Sequence, residues 1–187
     1  MAERLPSATG AKLAQVMDSG EIHIVRDGID QRRDSRFAVI ALDEGVSAEE
    51  VLLPGQMAEN GSFPLELKRT KPYGYSLFNV DAMATLAHVL STPKENLFDF
   101  IGTGNVSIRK GIEFMFPFIV NKASWPYAKD VMYWDEWPVA PIALLFGSIA
   151  TNNTGWFDTW KKLEHFPTNE EIIRNTPIRN PLIWIYN

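Results

Sequence analysis

The sequence contains no cysteine and only three histidines among its 187 residues. Without cysteine the chain forms neither disulfides nor thiolate-bound metal sites. The histidines are His23, His88 and His165, and no two of them have the spacing of a zinc-ligand pair. The sequence therefore predicts neither a disulfide framework nor a zinc site.

Long runs of positive charge are also missing, and the formal net charge is −5. A nucleic-acid-binding protein normally presents a basic face, so we expect no nucleic-acid partner. An acidic protein can still bind an acidic polymer where a local cleft is basic. The charge balance thus argues against a nucleic-acid partner and leaves an acidic polymer of another kind open.

The longest apolar stretch, residues 138–146, is shorter than the roughly 20 residues that a membrane-spanning helix needs. Residues 1–20 show neither the basic start nor the apolar run of a secretory signal. We therefore expect no membrane partner, and the sequence predicts no cellular location or oligomeric state.

The composition is that of a globular protein, with 45% hydrophobic and 22% charged residues. Aromatic residues reach 12% and include six tryptophans. Such a surplus either builds an aromatic core or lines a surface that stacks on sugars, and residue type alone leaves both open.

Periodicity divides the chain into a poorly patterned segment, residues 1–53, and a helical domain, residues 54–187. The first segment contains one β-branched run, residues 21–25, which predicts a short strand. In the second, apolar residues at helical spacing predict helices over 76–90, 108–120 and 139–149, with Ser107 capping the second. Residues 156–163 predict a further short helix. Long aromatic loops separate the main helices, and such loops are usually functional.

One segment carries most of the chemistry. It reads Gln56-Met-Ala-Glu-Asn-Gly-Ser-Phe-Pro-Leu-Glu-Leu-Lys-Arg-Thr-Lys-Pro-Tyr-Gly-Tyr-Ser-Leu-Phe-Asn. Further motifs follow it in order: Asn96-Leu-Phe-Asp99, Ser107-Ile-Arg-Lys-Gly-Ile-Glu-Phe114, Ser124-Trp-Pro-Tyr127 and Trp134-Asp-Glu-Trp-Pro138. Together these five motifs resemble the alginate-lyase family of polysaccharide lyases over about residues 54–147. The resemblance implies a mainly α fold, a partial α/α toroid built from antiparallel helical hairpins.

The resemblance implies β-elimination on a uronate-containing polysaccharide, alginate first and glucuronan next, without a cofactor. Such an enzyme removes the C5 proton beside a carboxylate and expels the C4 oxygen. It must neutralise the carboxylate and place a base and an acid correctly. Tyrosine can serve as either, although its ordinary pKa of about 10 requires a nearby cation if it is to act as the base.

Arg69 and Tyr75 suit these two tasks, because they lie six residues apart across a turn at Pro72 and Gly74. The resemblance places the family's catalytic Arg and Tyr at these positions. For Glu66, three residues before Arg69, we favour an ion pair that orients the guanidinium over a direct catalytic role. The aromatic residues are either substrate-stacking groups or plugs that close the hairpins. As candidate substrate contacts we assign Glu66, Tyr73, Trp125, Tyr127 and Trp134.

An expected element is missing. The family carries Asn-Asn-His-Gly well before the Arg/Tyr segment, and its Asn and His share in catalysis. Here Asn152-Asn-Thr-Gly155 has Thr in place of His and follows Arg69 and Tyr75, so we interpret it as a turn. We therefore expect a truncated or divergent domain whose partner is an acidic polysaccharide and whose activity is weak. The alternative is a non-catalytic carbohydrate-binding or scaffold remnant. Family members are typically secreted or periplasmic.

Overall fold

A computed structural model describes residues 11–16, 22–26, 53, 55–178 and 180–185. The chain divides into two compact units, residues 1–52 and 53–187. The first unit contains an antiparallel pair, β1 (Ala11–Val16) and β2 (Ile22–Arg26), in which Ala11 lies opposite Arg26 and Val16 opposite Ile22. The predicted strand is thus confirmed, one residue further along the chain.

The described part of the second unit is helical and contains no strand beyond isolated bridges. Its α-helices are α1 (Pro72–Leu90), α2 (Ile108–Val120), α3 (Ile142–Thr151), α4 (Thr154–Trp160) and α5 (Glu170–Arg174). Short 3-10 turns stand at Glu66–Lys68, Leu97–Asp99, Lys122–Ser124, Trp134–Glu136 and Pro181–Trp184. The mainly α fold class is confirmed.

Helix α1 packs against both α2 and α3, and α3 also packs against α4. One hydrophobic cluster joins these three helices. Its almost fully buried members include Leu77 and Val80 of α1, Ile112 and Met115 of α2, and Leu144 of α3. Burying each such side chain stabilises the fold by roughly 1.5–3 kcal/mol. Every residue of α3 from Ile142 to Ser148 is buried, as expected for a helix surrounded by others.

Helix α2 has the predicted bounds, because its start is encoded locally. The Ser107 hydroxyl accepts a hydrogen bond from the Lys110 backbone N–H at 3.2 Å. Helix α1 begins four residues before the prediction, since Pro72 at its first position already has a helical φ. Helix α3 begins three residues after the prediction, because Val139 forms a parallel bridge with Glu164 and Pro141 precedes the first turn.

Asp81 of α1 caps the first turn of α3. Its Oδ1 accepts a hydrogen bond from the Ala143 backbone N–H at 2.9 Å, and the Ile142 N–H also donates to this carboxyl group. Burial raises the pKa of Asp81 to about 7, and the two backbone hydrogen bonds oppose that rise. Helix α1 thus supplies the cap that the sequence before α3 lacks.

The predicted turn at 152–155 is present at residues 152 and 153, whereas Thr154 and Gly155 already belong to α4. Asn152 ends α3 with a left-handed φ of 55°, a conformation that asparagine tolerates better than most residues. The Asn153 side chain caps α4 by accepting from the Trp156 backbone N–H at 3.2 Å. The predicted short helix at 156–163 is present as α4, two residues earlier at its start and three at its end.

An apolar cleft of about 740 Å³ lies beside α4, and the last part of the chain forms one of its walls. Trp160, His165 and Ile183 line it, but none of the predicted site residues does. Among the described helices, none is long and apolar enough to cross a membrane. No group of three or more histidines and carboxylates that could hold a metal occurs in the described ranges.

Candidate functional site

Arg69 and Tyr75 lie together at the entrance to α1. Arg69 ends the 3-10 turn at Glu66–Lys68 in an extended conformation, and Tyr75 lies in the first turn of α1. The Arg69 Cζ atom is 3.8 Å from the centre of the Tyr75 ring. A guanidinium at this distance is attracted by the ring's negative face. The two residues that the sequence analysis assigns to catalysis therefore lie in direct contact.

Glu66 holds Arg69 in place. The Arg69 Nη1 atom donates to Glu66 Oε2 at 2.9 Å, and the Arg69 backbone N–H donates to the Glu66 carbonyl at 3.0 Å. The Glu66 side chain is only 12% exposed, whereas that of Arg69 is 46% exposed. The geometry matches the orienting ion pair that we favour for Glu66, and it leaves the guanidinium accessible to a solute.

A second cation, Lys71, faces the same ring. Its Nζ atom is 5.1 Å from the centre of the Tyr75 ring and forms an ion pair with Glu171 of α5. The hydrogen bond from Lys71 is the main reason why the pKa of Glu171 is lowered. Because α5 comes a hundred positions after Lys71, nothing in the local sequence indicates this contact.

Asp130 fixes the start of α1 from a distant loop. Its Oδ1 and Oδ2 atoms accept hydrogen bonds from the backbone N–H groups of Tyr73 and Gly74 at 2.8 and 2.9 Å. Burial raises the pKa of Asp130, while these two bonds and the charges of Lys71 and Lys122 act in the opposite direction. A carboxylate at a helix N-terminus is favourable because it meets unpaired N–H groups and the positive end of the dipole.

Tyr73 lies in the core rather than in a subsite. The ring is fully buried, and its hydroxyl donates to the Phe118 carbonyl at 3.1 Å. Trp125 and Trp134 contact it edge-on, with ring centres 5.1 and 5.4 Å away. Burial raises the pKa of Tyr73, and the nearby Asp130 charge adds to this effect. We therefore propose that Tyr73 packs the floor beneath the site and does not contact substrate.

The three remaining aromatic candidates differ in exposure. Trp125 is 8% exposed, and its indole N–H donates to the Ala128 carbonyl at 2.9 Å, as expected for a plug. Tyr127 is 39% exposed and packs on Trp125 with ring centres 5.0 Å apart. Trp134 is half-buried, and the Lys122 Nζ atom lies 4.7 Å from its ring centre. Of these three, Tyr127 and Trp134 keep part of a ring exposed to solvent.

The described histidines make contacts elsewhere. The His88 ring stacks on Phe146 at 3.9 Å, and its Nε2 atom is 2.9 Å from the Trp184 carbonyl. The His165 ring packs edge-on against Trp160 at 4.4 Å. Since His23 belongs to the first unit, the described part of the second unit provides no histidine in contact with Arg69 or Tyr75.

Tyr133 also borders the site, and the sequence patterns do not predict it. It adopts a left-handed conformation, with φ 62° and ψ 17°, directly before the 3-10 turn at Trp134–Glu136. The Lys71 Nζ atom lies 5.2 Å from the centre of its half-buried ring. No local sequence pattern indicates this conformation, which is unusual for a bulky side chain.

Comparisons with known proteins agree with this description. Residues 40–125 match the family model for alginate lyase. The structure is also similar to the crystal structure of an alginate lyase from Bacteroides ovatus, with a TM-score of 0.50 and 25% sequence identity. The similarity covers 66% of this chain and 33% of that one. No curated protein matches the chain.

The resemblance indicated by the motifs is therefore confirmed, as a match to part of a domain. The family match includes Arg69, Tyr75 and Trp125 but ends before Tyr127 and Trp134. The chain spans about a third of the length of the structure that it matches. Together with the packed helices, this agrees with a partial helical toroid.

Proposed function

We propose that this partial alginate-lyase domain is a slow polysaccharide lyase that cleaves a uronate-containing polysaccharide by β-elimination. The observation that supports this most directly is the contact between the Arg69 guanidinium and the Tyr75 ring, 3.8 Å apart within the matched residues. A carboxylate-binding cation and a proton-transferring phenol are the two groups that the reaction requires.

Arg69 binds the carboxylate of the reacting uronate in this proposal. In the described part of the chain, its hydrogen bonds to side chains use Nη1 alone, so its other guanidinium N–H groups remain open. A guanidinium can donate two parallel hydrogen bonds to a carboxylate. Its charge then stabilises the enolate-like intermediate that forms when the C5 proton leaves.

Tyr75 transfers protons. Within the described ranges its hydroxyl makes no hydrogen bond, in contrast to the Tyr73 hydroxyl, which the Phe118 carbonyl engages. One phenol can take the C5 proton and deliver a proton to the C4 oxygen when both lie on the same side of the sugar ring. Arg69 and Tyr75 are thus the smallest set that completes the reaction.

Alginate is the substrate that we propose first, because the matched family and the similar structure both carry that name. Tyr127 and Trp134 present partly exposed rings in the loops beside the site. Such rings can stack on the apolar faces of sugars while neighbouring polar groups bind hydroxyls. Glucuronan shares the carboxylate and the C5 proton and is the second substrate to test.

The decisive experiment incubates the purified chain with alginate and with glucuronan and follows the ultraviolet absorbance of the unsaturated uronate product. We expect slow product formation that Tyr75→Phe abolishes, since this change removes only the hydroxyl. Full activity in Tyr75→Phe would contradict the assignment of the site.

A charge control separates the site from general attraction of a polyanion. Arg69→Ala and Arg109→Ala each remove one positive charge, but Arg109 pairs with the exposed Asp99 outside the site. We expect Arg69→Ala to lower kcat/KM by at least about 100-fold, and Arg109→Ala to leave it near the wild-type value. Equal losses in both variants would mean that Arg69 has no special role.

A second function, binding without catalysis, has one observation in its favour. The described part of the second unit places no histidine against Arg69 or Tyr75, and the family uses one. If oligouronates bind in calorimetry, no product forms, and Trp134→Ala abolishes binding, the chain is a carbohydrate-binding remnant.

A further inference from the structure

The left-handed Tyr133 is a strained residue that borders the proposed site. Left-handed backbone is unusual for a residue with a bulky side chain, and a residue held in it is strained. Strained residues persist where the surrounding structure determines them, and they cluster at functional sites. The contacts on both sides of Tyr133 therefore decide whether its conformation is imposed.

The segment before Tyr133 is attached to the turn that carries Arg69 and Tyr75. Asp130 accepts hydrogen bonds from the backbone N–H groups of Tyr73 and Gly74. The Val131 backbone N–H donates to the Thr70 carbonyl at 3.0 Å. Three hydrogen bonds thus hold residues 130 and 131 against residues 70–74 and fix the approach to Tyr133.

The segment after Tyr133 is fixed equally firmly. The Lys122 Nζ atom donates to the carbonyls of Trp134 and Trp137, both at 2.7 Å. The Glu136 backbone N–H donates to the Tyr133 carbonyl at 3.2 Å. Held on both sides, Tyr133 cannot relax to an ordinary conformation without breaking these bonds.

Lys71 lies between two phenol rings. Its Nζ atom is 5.1 Å from the centre of the Tyr75 ring and 5.2 Å from that of Tyr133, and Glu171 holds it there. In the described part of the chain the Tyr133 hydroxyl, like that of Tyr75, makes no hydrogen bond. Both rings are half-buried. Two unengaged phenols therefore flank one ammonium group beside Arg69.

We propose that Tyr133 is a second proton-transfer residue of the site, so that one phenol acts as the base and the other as the acid. This inference rests on the proposed lyase function. Tyr133, as phenolate, takes the C5 proton, and the electrons of that C–H bond form the C4–C5 double bond. The C4–O4 bond breaks, and Tyr75 gives its hydroxyl proton to O4. Solvent then returns a proton to Tyr75 and removes one from Tyr133, which leaves the enzyme unchanged.

Two phenols with separate tasks suit this site, because the described part of the second unit places no histidine against Arg69 or Tyr75. A single phenol must act first as base and then as acid, so it needs both transfers to occur on one side of the sugar. A second phenol removes that requirement. It also gives a role to the left-handed conformation of Tyr133, in which the ring lies beside Lys71.

The test measures the pH profile of kcat/KM on alginate for Tyr133→Phe, Tyr133→His and the control Met132→Leu. Met132 is an exposed neighbour in the same loop. For the wild type we expect a rising limb as the base loses its proton. Tyr133→Phe should lose that limb and lower kcat by about 100-fold with little change in KM. Tyr133→His should restore a limb near a pH of about 6.5, where histidine titrates.

Several charged groups lie near Tyr133 in space or along the chain, and none of the variants changes them. They include Lys71 with its partner Glu171, Arg69, Lys122, Lys129, Asp130, Asp135 and Glu136. The profile of Met132→Leu should match the wild type. If Tyr133→Phe keeps kcat and the rising limb while Tyr75→Phe is inactive, the lyase function stands and this proposal is wrong. If the wild type forms no product from either polymer, the lyase function itself fails, and the role of Tyr133 fails with it.

Discussion

Two tyrosines in one helical turn have opposite environments. Tyr73 is fully buried, whereas Tyr75 faces Arg69 and Lys71. In an α-helix, residues two apart lie about 200° around the axis from each other, so they point to nearly opposite sides. Tyr73 follows the apolar stripe of α1 toward Trp125, and Tyr75 is turned toward the preceding loop.

The pairing of Arg69 with Glu66 leads to a prediction about geometry rather than charge. Arg69→Lys keeps the charge but loses the planar fork that can bind a carboxylate through two hydrogen bonds. We expect kcat/KM on alginate to fall by about tenfold or more. Steady-state kinetics measure this, and a variant as active as the wild type would show that a point charge is sufficient.

Gly74 is needed for close approach. A Cβ atom at this position would lie 2.8 Å from Asp130 Oδ2 and 2.8 Å from Trp137 Nε1. We expect Gly74→Ala to lower the free energy of unfolding by about 1–3 kcal/mol, because the cap and the indole must move. Gly55→Ala is the matched control, since a methyl group added there would meet nothing within 4 Å. Urea unfolding of both variants checks this, and equal stabilities would contradict it.

At the scale of elements, the helices differ in where their caps come from. The first turns of α2, α4 and α5 are capped by the residues directly before them, Ser107, Asn153 and Asn169. Those of α1 and α3 have no such cap and use Asp130 and Asp81 from other segments. Local caps are visible in a sequence, and distant caps are not.

This difference explains which parts could be predicted. Helix α2 follows from Ser107 and from its apolar spacing, and the Arg69–Tyr75 contact follows from six residues of chain. Pro72 and Pro141 mark the starts of α1 and α3 locally, but the hydrogen bonds that cap their first turns come from residues 56 to 62 positions away. The left-handed backbone of Tyr133 and the Lys71–Glu171 pair have the same origin in distant contacts. Sequence therefore predicted the local half of the site and missed the half that tertiary packing creates.

The two kinds of cap predict different consequences for function. Asp130→Ala should cost about 1–2 kcal/mol of stability and should also lower activity, because the start of α1 carries Tyr75. Ser107→Ala removes a local cap from α2 and should cost about 1 kcal/mol while kcat stays near the wild-type value. Thermal unfolding and product formation, measured on both, distinguish them. Equal activity losses would show that the effect is general destabilisation.

For the molecule as a whole, Asp81 predicts how stability depends on pH. Its pKa is raised from 3.8 to about 7 in the folded state. The folded state therefore holds a proton that the unfolded state releases between these values. This contribution to stability is fully present below pH 3.8 and is lost as pH rises to about 7. The loss amounts to about 4 kcal/mol at most, at about 1.4 kcal/mol per pKa unit.

The measurement compares urea unfolding between about pH 5 and about pH 8 in the wild type and in Asp81→Asn. The wild type should lose stability across this interval, and the variant should lose less, because asparagine does not titrate. Asp158→Asn is the control. Burial is absent there and the pKa is lowered by Lys161, so Asp158 does not titrate in this interval. An unchanged pH slope in Asp81→Asn would refute the role of Asp81.

The distant caps also have a consequence for the order in which the chain folds. Closing a loop of about 56 to 62 residues costs conformational entropy before the hydrogen bond can stabilise the chain. Such contacts therefore form late. Helix α2 carries its own start signal and can form while α1 and α3 are still frayed at their first turns. The turn that presents Tyr75 is then among the last parts to become rigid. Amide hydrogen exchange during refolding should accordingly protect the middle of α2 before the backbone N–H groups of Tyr73 and Gly74.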